Sequence, residues 1–308
     1  MEINDKTKGL LHALHEKYKA EGQDMESYLE GLLYTGYLDY WDYTNADTLL
    51  SLQQPKTDMP DEMIFIIYHQ ITELYFKLSL WEIDQIVSKK DLDSAFFIAR
   101  LTRISNYFIN LTHSFDIMIQ GMEKEQFTKF RLALLPASGF QSAQYRMIEI
   151  ACTDLINLVH RDHRESLTNA DIEAQYEYIY WKYGATEVET GAKNLTLRRF
   201  EEKYNEKLIN WAKNHRENNI SAKYNALPER EKNKPEMIEA MKDIDSLINV
   251  KWPLVHYRSA ARYLSGEKGD MPATGGTNWQ QYLPPRFQRR VFFPDMWTPE
   301  ELAEWGKR

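Results

Sequence analysis

One cysteine in 308 residues, Cys152, excludes an intrachain disulfide and any thiolate-built zinc or iron–sulfur centre within one chain. Glycine (13) and proline (11) are scarce and sit mostly at the edges of longer segments. Few windows alternate apolar and polar residues, so little or no sheet is expected. No uninterrupted apolar run reaches about 18 residues, and no membrane-spanning helix is expected. The opening MEINDKTKGLLHALHEKY has neither the apolar stretch nor the small-residue cleavage site of a secretory signal. Bases are outnumbered: the formal net charge is −8, the wrong sign for a protein that works on nucleic acid. The locally basic HRDHRE at 160–165 is short and interleaved with acids, and reads as a solvated helix end. From these absences a cytoplasmic protein that engages neither nucleic acid nor membrane is expected.

What is present is aromatic and helical. Aromatics make up 13% of the chain, with 19 Tyr and 8 Trp, which suits a thick core, a pocket for a flat ligand or an oligomer interface. Residues 60–88 carry Ile64, Ile67, Ile71, Leu74 and Leu78 at steps of three and four. Pro60, Asp61 and Glu62 suit a first helical turn, and Glu73 and Lys77 are spaced to pair. Such a helix would run about 43 Å. Residues 91–121 read the same way through Phe97, Ile98, Leu101, Ile104, Phe108 and Leu111, and 141–158 through Ala143, Met147, Ala151, Leu155 and Leu158. A more polar helix is expected over 190–214, one after Pro235 and another after Pro253. The stretches 134–142 and 266–286 read as loops. The fold expected is all-α, a single domain of long packed helices over 1–308, with a helix-poor stretch at 35–59.

Elimination narrows the chemistry. No histidine has Glu three residues before it, so the Glu-x-x-His of di-iron bundles is missing. His15-Glu16 does not continue to a zincin motif, and phosphate-loop, nucleophile-elbow and dinucleotide signatures are absent. Helical histidines remain. His69 shares a helical face with Phe65, Thr72 and Phe76. His256 has Trp252 one turn before it and the small Ser259 and Ala260 one turn after, which would let a flat macrocycle approach its nitrogen. On spacing alone each reads first as a packed core residue. The loops PASGFQS and ATGGTN offer hydroxyls and close backbone approach, and Arg131 could clamp a carboxylate, but a turn, a mobile loop and a surface ion pair explain them equally well.

In order and spacing these stretches are similar to one family. The chain resembles the tryptophan 2,3-dioxygenases, a branch of the heme-dependent aromatic oxygenases. Four blocks carry the likeness: YWDYTNADTLLSLQ (40–53), DEMIFIIYHQITELYFKL (61–78), FRLALLPASGFQSAQYRMIE (130–149), and WPLVHYRSAARYL with TGGT (252–277). The second and third are specific, the fourth looser. The resemblance implies an all-helical homotetramer around heme b, ferrous in the active form, with O2 as co-substrate. The reaction it implies is insertion of both oxygen atoms across the indole C2–C3 bond of L-tryptophan, giving N-formylkynurenine. It places His256 at the axial iron ligand and His69 at the distal histidine that meets the indole N–H. Phe65 falls at the aromatic packed on the indole, Arg131 at the carboxylate clamp, and Thr274 near the substrate ammonium. Ser138 falls in the distal pocket, with Gly139 beside the cofactor. Phe127 stands where the family carries Tyr or Phe. Tyr40 and Tyr43 match tyrosines lent to a neighbour's pocket, so 1–59 is expected to contact another subunit. The chain departs from the family at TGGTNW, where Thr277 and the bulky Trp279 replace smaller residues, and in a longer loop before Thr274. Those changes bear on substrate identity and keep two other readings in view: a heme monooxygenase of a related aromatic amino acid, and a non-catalytic heme-binding helical protein.

Overall fold

The computed structural model describes residues 3–36, 38–186, 192–265, 271 and 279–307. Among them there is no strand, only two isolated bridges, Val159 to Ile179 and Thr186 to Lys193. The chain divides into two compact units, Met1–Gln53 and Gln54–Arg308.

The first unit holds helices α1 (Asp5–Ala20) and α2 (Met25–Leu33), then two short helical turns at Tyr40–Thr44 and Ala46–Leu50. Asn4 and Asp24 cap the two longer helices by accepting hydrogen bonds from first-turn backbone N–H groups. No described residue of this unit is buried. It has helices but no interior.

The second unit is built on α3 (Asp61–Ser88), which packs against α4 (Ser94–Ser114) and α6 (Ala143–Cys152). Between them in sequence lies α5 (Lys124–Ala133). Helix α7 (Leu195–His215) covers α6, and α8 (Pro235–Ser246) covers α4. The core positions of α4 are as the period predicts, with Phe97, Leu101, Ile104, Phe108 and Leu111 fully buried. On α3 the period finds the helix but not its inner face. Tyr68, Thr72, Phe76, Ser79, Ile83 and Ile86 point inward. Apart from Ile64, which packs against the core, the stripe read from the sequence faces out: Ile67, Ile71, Leu74 and Leu78 are about 40% exposed, continuing to Trp81 at 65%. Both faces of α3 are apolar, and periodicity carries no direction. Glu73 likewise turns from Lys77 to accept from the Gln144 side-chain amide at 2.8 Å, tying α3 to α6. The HRDHRE stretch is not simply solvated. It forms a short helix at Arg161–Arg164, and Arg164 folds back to donate to the carbonyls of Asn157 and Val159.

The two helices expected after Pro235 and Pro253 are one continuous run. Helix α8 passes through a π turn, Leu247–Lys251, into α9 (Trp252–Leu264). Two buried carboxylates anchor the late segment, one of them on this run. Asp245 accepts from the backbone N–H groups of Phe292 and Phe293, the Trp297 indole and the Asn249 amide. Glu149, on α6, takes Arg146 at 2.9 Å, Tyr180 at 2.5 Å and, on the same oxygen as Tyr180, Arg290. The late segment around 290–297 is thereby fastened to the centre of the molecule.

Candidate active site

His69 lies in the third turn of α3, where its Nδ1–H donates to the carbonyl of Phe65 at 2.7 Å. A carbonyl only accepts, so the proton sits on Nδ1 and Nε2 carries a free lone pair. Burial lowers the His69 pKa, against the opposing pulls of the Phe65 carbonyl and Glu73, so the ring is neutral at neutral pH. The Phe65 ring lies 4.1 Å from the imidazole. Phe65 also meets Phe130 at 5.6 Å and Phe127 at 6.3 Å, and Phe127 packs at a tilt against Tyr263 at 4.6 Å. Helices α3, α5 and α9 thus contribute to one aromatic wall. Tyr263 is fixed there by donating to the Met118 carbonyl at 2.6 Å.

His256 sits half-buried on α9 and makes no hydrogen bond among the described residues. Its pKa is lowered to about 4, first by burial, then by the nearby His69 and Arg146. Two neutral imidazoles on two helices are therefore within electrostatic reach of each other. A chain of ring contacts also joins them, from His69 to Tyr68 to Phe115 to His256. Over His256 lies Gly139: a Cβ built there would stand 3.8 Å from Cε1 and 3.9 Å from Nε2. Any larger residue would lay a side chain against that nitrogen. The donor chemistry fits an iron ligand, since a neutral imidazole with no competing hydrogen bond has its lone pair to give. Seating a planar group on Nε2 requires the 138–141 turn to stand off from the ring, and glycine leaves only backbone to be moved.

That turn is well defined. Ser138 caps it in a reciprocal box, accepting from Phe140 N–H while its own N–H donates to Gln141 Oε1 at 3.2 Å. Gln141 donates onward to the Thr196 carbonyl, and the Thr196 hydroxyl to Pro136, clipping the turn to α7. Arg131 is buried on α5, one turn beyond Phe127, with its Nη1 at 4.0 Å from Met271 Sδ. Burial pulls its pKa down, yet a guanidinium stays charged. Trp279 does not stand loose in the region. It is buried, donates to the Met271 carbonyl at 3.0 Å and lies 5.6 Å from the Tyr257 ring.

The structure thus brings His69, Phe65 and Phe127 into one group, sets His256 against Gly139, and places Ser138 at the cap beside it. Tyr40 and Tyr43 belong to the first unit, where they are 75% and 77% exposed. Thr274 and Thr277 lie outside the described residues. Sequence reasoning missed Tyr263, Phe130 and Phe115. Tyr263 was within reach, because it stands seven residues after His256 on the same helical face; nothing local marked Phe115.

Comparison with known proteins places these residues in context. The family model for tryptophan 2,3-dioxygenase matches residues 31–176. A tryptophan 2,3-dioxygenase of Bradyrhizobium sp. strain BTAi1 is 29% identical over 271 residues, covering 86% of this chain and 92% of the relative. That of Bacillus anthracis is 29% identical over 280 residues, 85% and 91% of the two chains. A stretch of 145 residues is 37% identical to the enzyme of Polaromonas sp. strain JS666, covering 46% of this chain and 48% of that one.

Proposed function

The chain belongs to the tryptophan 2,3-dioxygenase family, and from that premise we propose that it cleaves the indole ring of L-tryptophan with O2 to give N-formylkynurenine, using a heme b held by His256. The observation that carries the reading is the pair of neutral imidazoles, His69 against the aromatic wall and His256 joined to it through Tyr68 and Phe115. Ferrous heme, when bound, supplies O2 binding and the electronic work of the oxidation. His256 would ligate its iron, with Ser138 and Gly139 beside it.

The rest is the work of the chain. Arg131 offers a planar fork to the substrate carboxylate. Phe65 and Phe127 supply the faces on which an indole packs and water is kept out. His69 Nε2 accepts the indole N–H, because its other nitrogen is already committed to the Phe65 carbonyl. The lowered pKa makes His69 a poor base, and indole N–H is a very weak acid. His69 therefore orients the substrate rather than removing its proton. Thr274 would sit near the substrate ammonium.

Two features support self-association, for which a homotetramer is the family's form. The outward stripe of α3 steps 67, 71, 74, 78, 81, the four-three alternation of a helix that seats another helix. The first unit, which holds Tyr40 and Tyr43, has no interior of its own and would gain one against a neighbouring subunit. No described helix is long and apolar enough to cross a membrane, and a lone buried Cys152 suits the reducing cytoplasm.

The direct test is to reduce the heme-loaded protein without oxygen, then add O2 and L-tryptophan. Absorbance of N-formylkynurenine should grow with turnover; turnover of a different indole or phenol in its place would overturn the assignment. Arg131→Lys keeps the charge but loses the fork. It should raise KM for L-tryptophan roughly tenfold to a hundredfold, and an unchanged KM would put the carboxylate elsewhere. Heme loading should also follow the proton. Proton and iron compete for one lone pair, and the His256 pKa is lowered to about 4. Binding, followed by absorbance, should therefore hold as pH falls through 6.5, the ordinary histidine value, and fail only as the pH approaches about 4. A midpoint at the ordinary value would mean that His256 is solvated.

A further inference from the structure

The helix that carries His256 is set by an irregularity just upstream. Across Leu247–Lys251 the backbone bonds run five residues apart, and Trp252 N–H donates to the Leu247 carbonyl. This π turn takes up one extra residue, so everything after it is rotated by about 100° about the helix axis relative to an unbroken α-helix. His256, five residues beyond the turn, faces Gly139 because of it. The turn leaves the Ile248 carbonyl without a helical partner. In an α register Ile248 would accept from Trp252, whose N–H is already committed to Leu247. In the π register it would accept from residue 253, which is proline and has no N–H. A buried carbonyl so stranded is costly, and a donor is needed.

The donor comes from α6. The Tyr145 hydroxyl donates to the Ile248 carbonyl at 2.9 Å, with both groups buried. The same oxygen accepts from Arg290 at 3.2 Å, and Arg290 is paired with Glu149. Tyr145 is therefore held at both lone pair and proton, and burial pushes its phenol pKa up, so the proton stays in place. Its ring also packs on Phe76, which meets Trp252 edge-on at 6.1 Å.

We infer that Tyr145 is a positioning residue: its hydroxyl, fixed by Arg290 and Glu149, pins the π turn through the Ile248 carbonyl and so sets the direction in which His256 points. The inference rests on the reading of His256 as the iron ligand, but its first consequence does not need heme. Tyr145→Phe removes one oxygen and keeps the ring packing. In the heme-free protein, amide hydrogen exchange over 247–256 should speed up roughly tenfold, while α7 stays near its wild-type rate. In the heme-loaded protein, transfer of heme to a scavenger should be faster by a similar factor. Tyr180→Phe is the control, since it loses a hydroxyl on the same Glu149 carboxylate but does not touch Ile248. It should lower general stability without selective exchange at 247–256 and without faster heme transfer. Unchanged exchange at 247–256 in Tyr145→Phe would overturn the inference, as would faster exchange with unaltered heme transfer, or the same two effects in Tyr180→Phe. A wild-type chain that binds no heme would overturn the proposed function instead, leaving the exchange result standing.

Discussion

Alanine at position 256 is expected to give a folded protein with no Soret band and no dioxygenase activity. The fold should survive because His256 contributes little to it. The ring is half-buried and makes no hydrogen bond among the described residues, so its loss leaves no polar partner stranded. The cofactor should not survive, because the side chain that meets Gly139 is His256 and its imidazole is the unprotonated nitrogen proposed to hold the iron. Free imidazole at millimolar concentration should enter the space left by the side chain and restore part of the absorbance. Heme retained with an unaltered spectrum would show that the iron is ligated elsewhere.

The largest effect on stability is expected from Glu149→Ala. This carboxylate is fully buried between Arg146 and Arg290, with the Tyr180 hydroxyl as a third donor. Removing it strands two guanidiniums, both less than a tenth exposed. Loss of one partner from a buried ionic group typically costs about 3–5 kcal/mol, which for a unit of this size lowers Tm by on the order of 10 °C. Calorimetry reads this directly. A change below about 1 kcal/mol would mean that the arginines find solvent when the carboxylate is gone. Glu149→Gln keeps two hydrogen-bond acceptor sites and should fall between the two.

The helices were legible in the chain because apolar spacing is a property of sequence. Phe97 to Leu111 gave both a helix and its buried face. Ile67 to Leu78 gave a helix and the wrong face, since Tyr68, Thr72 and Phe76 hold the inside and the isoleucines the outside. Which apolar face turns inward depends on what the rest of the chain brings to meet it. Elements of the site were legible in the same partial way. His69 with Phe65 is a local pairing, four residues apart on one helix. The closeness of Gly139 to His256 spans more than a hundred residues, and only a family resemblance could suggest it. The π turn was hidden for a different reason: Pro253 reads as the start of a helix, and its missing N–H becomes informative only once Tyr145 is seen beside Ile248.

The buried carboxylates also constrain the order in which the chain can be completed. Glu149 waits for Arg290, 141 residues downstream, and Asp245 for Phe292 and Trp297, 47 and 52 residues downstream. Chains fold from the N-terminus as they are synthesised, yet here the acids at the centre have only their nearer partners, Arg146 and Tyr180 for Glu149 and Asn249 for Asp245, until the 290s have emerged. Until then the two carboxylates are only partly satisfied, and the Tyr145 hydroxyl that meets the turn ahead of His256 lacks the Arg290 that fixes it. The nascent polypeptide therefore keeps its centre open until late in translation, and a ribosome stalled before residue 290 would present a soft, proteolysis-sensitive intermediate.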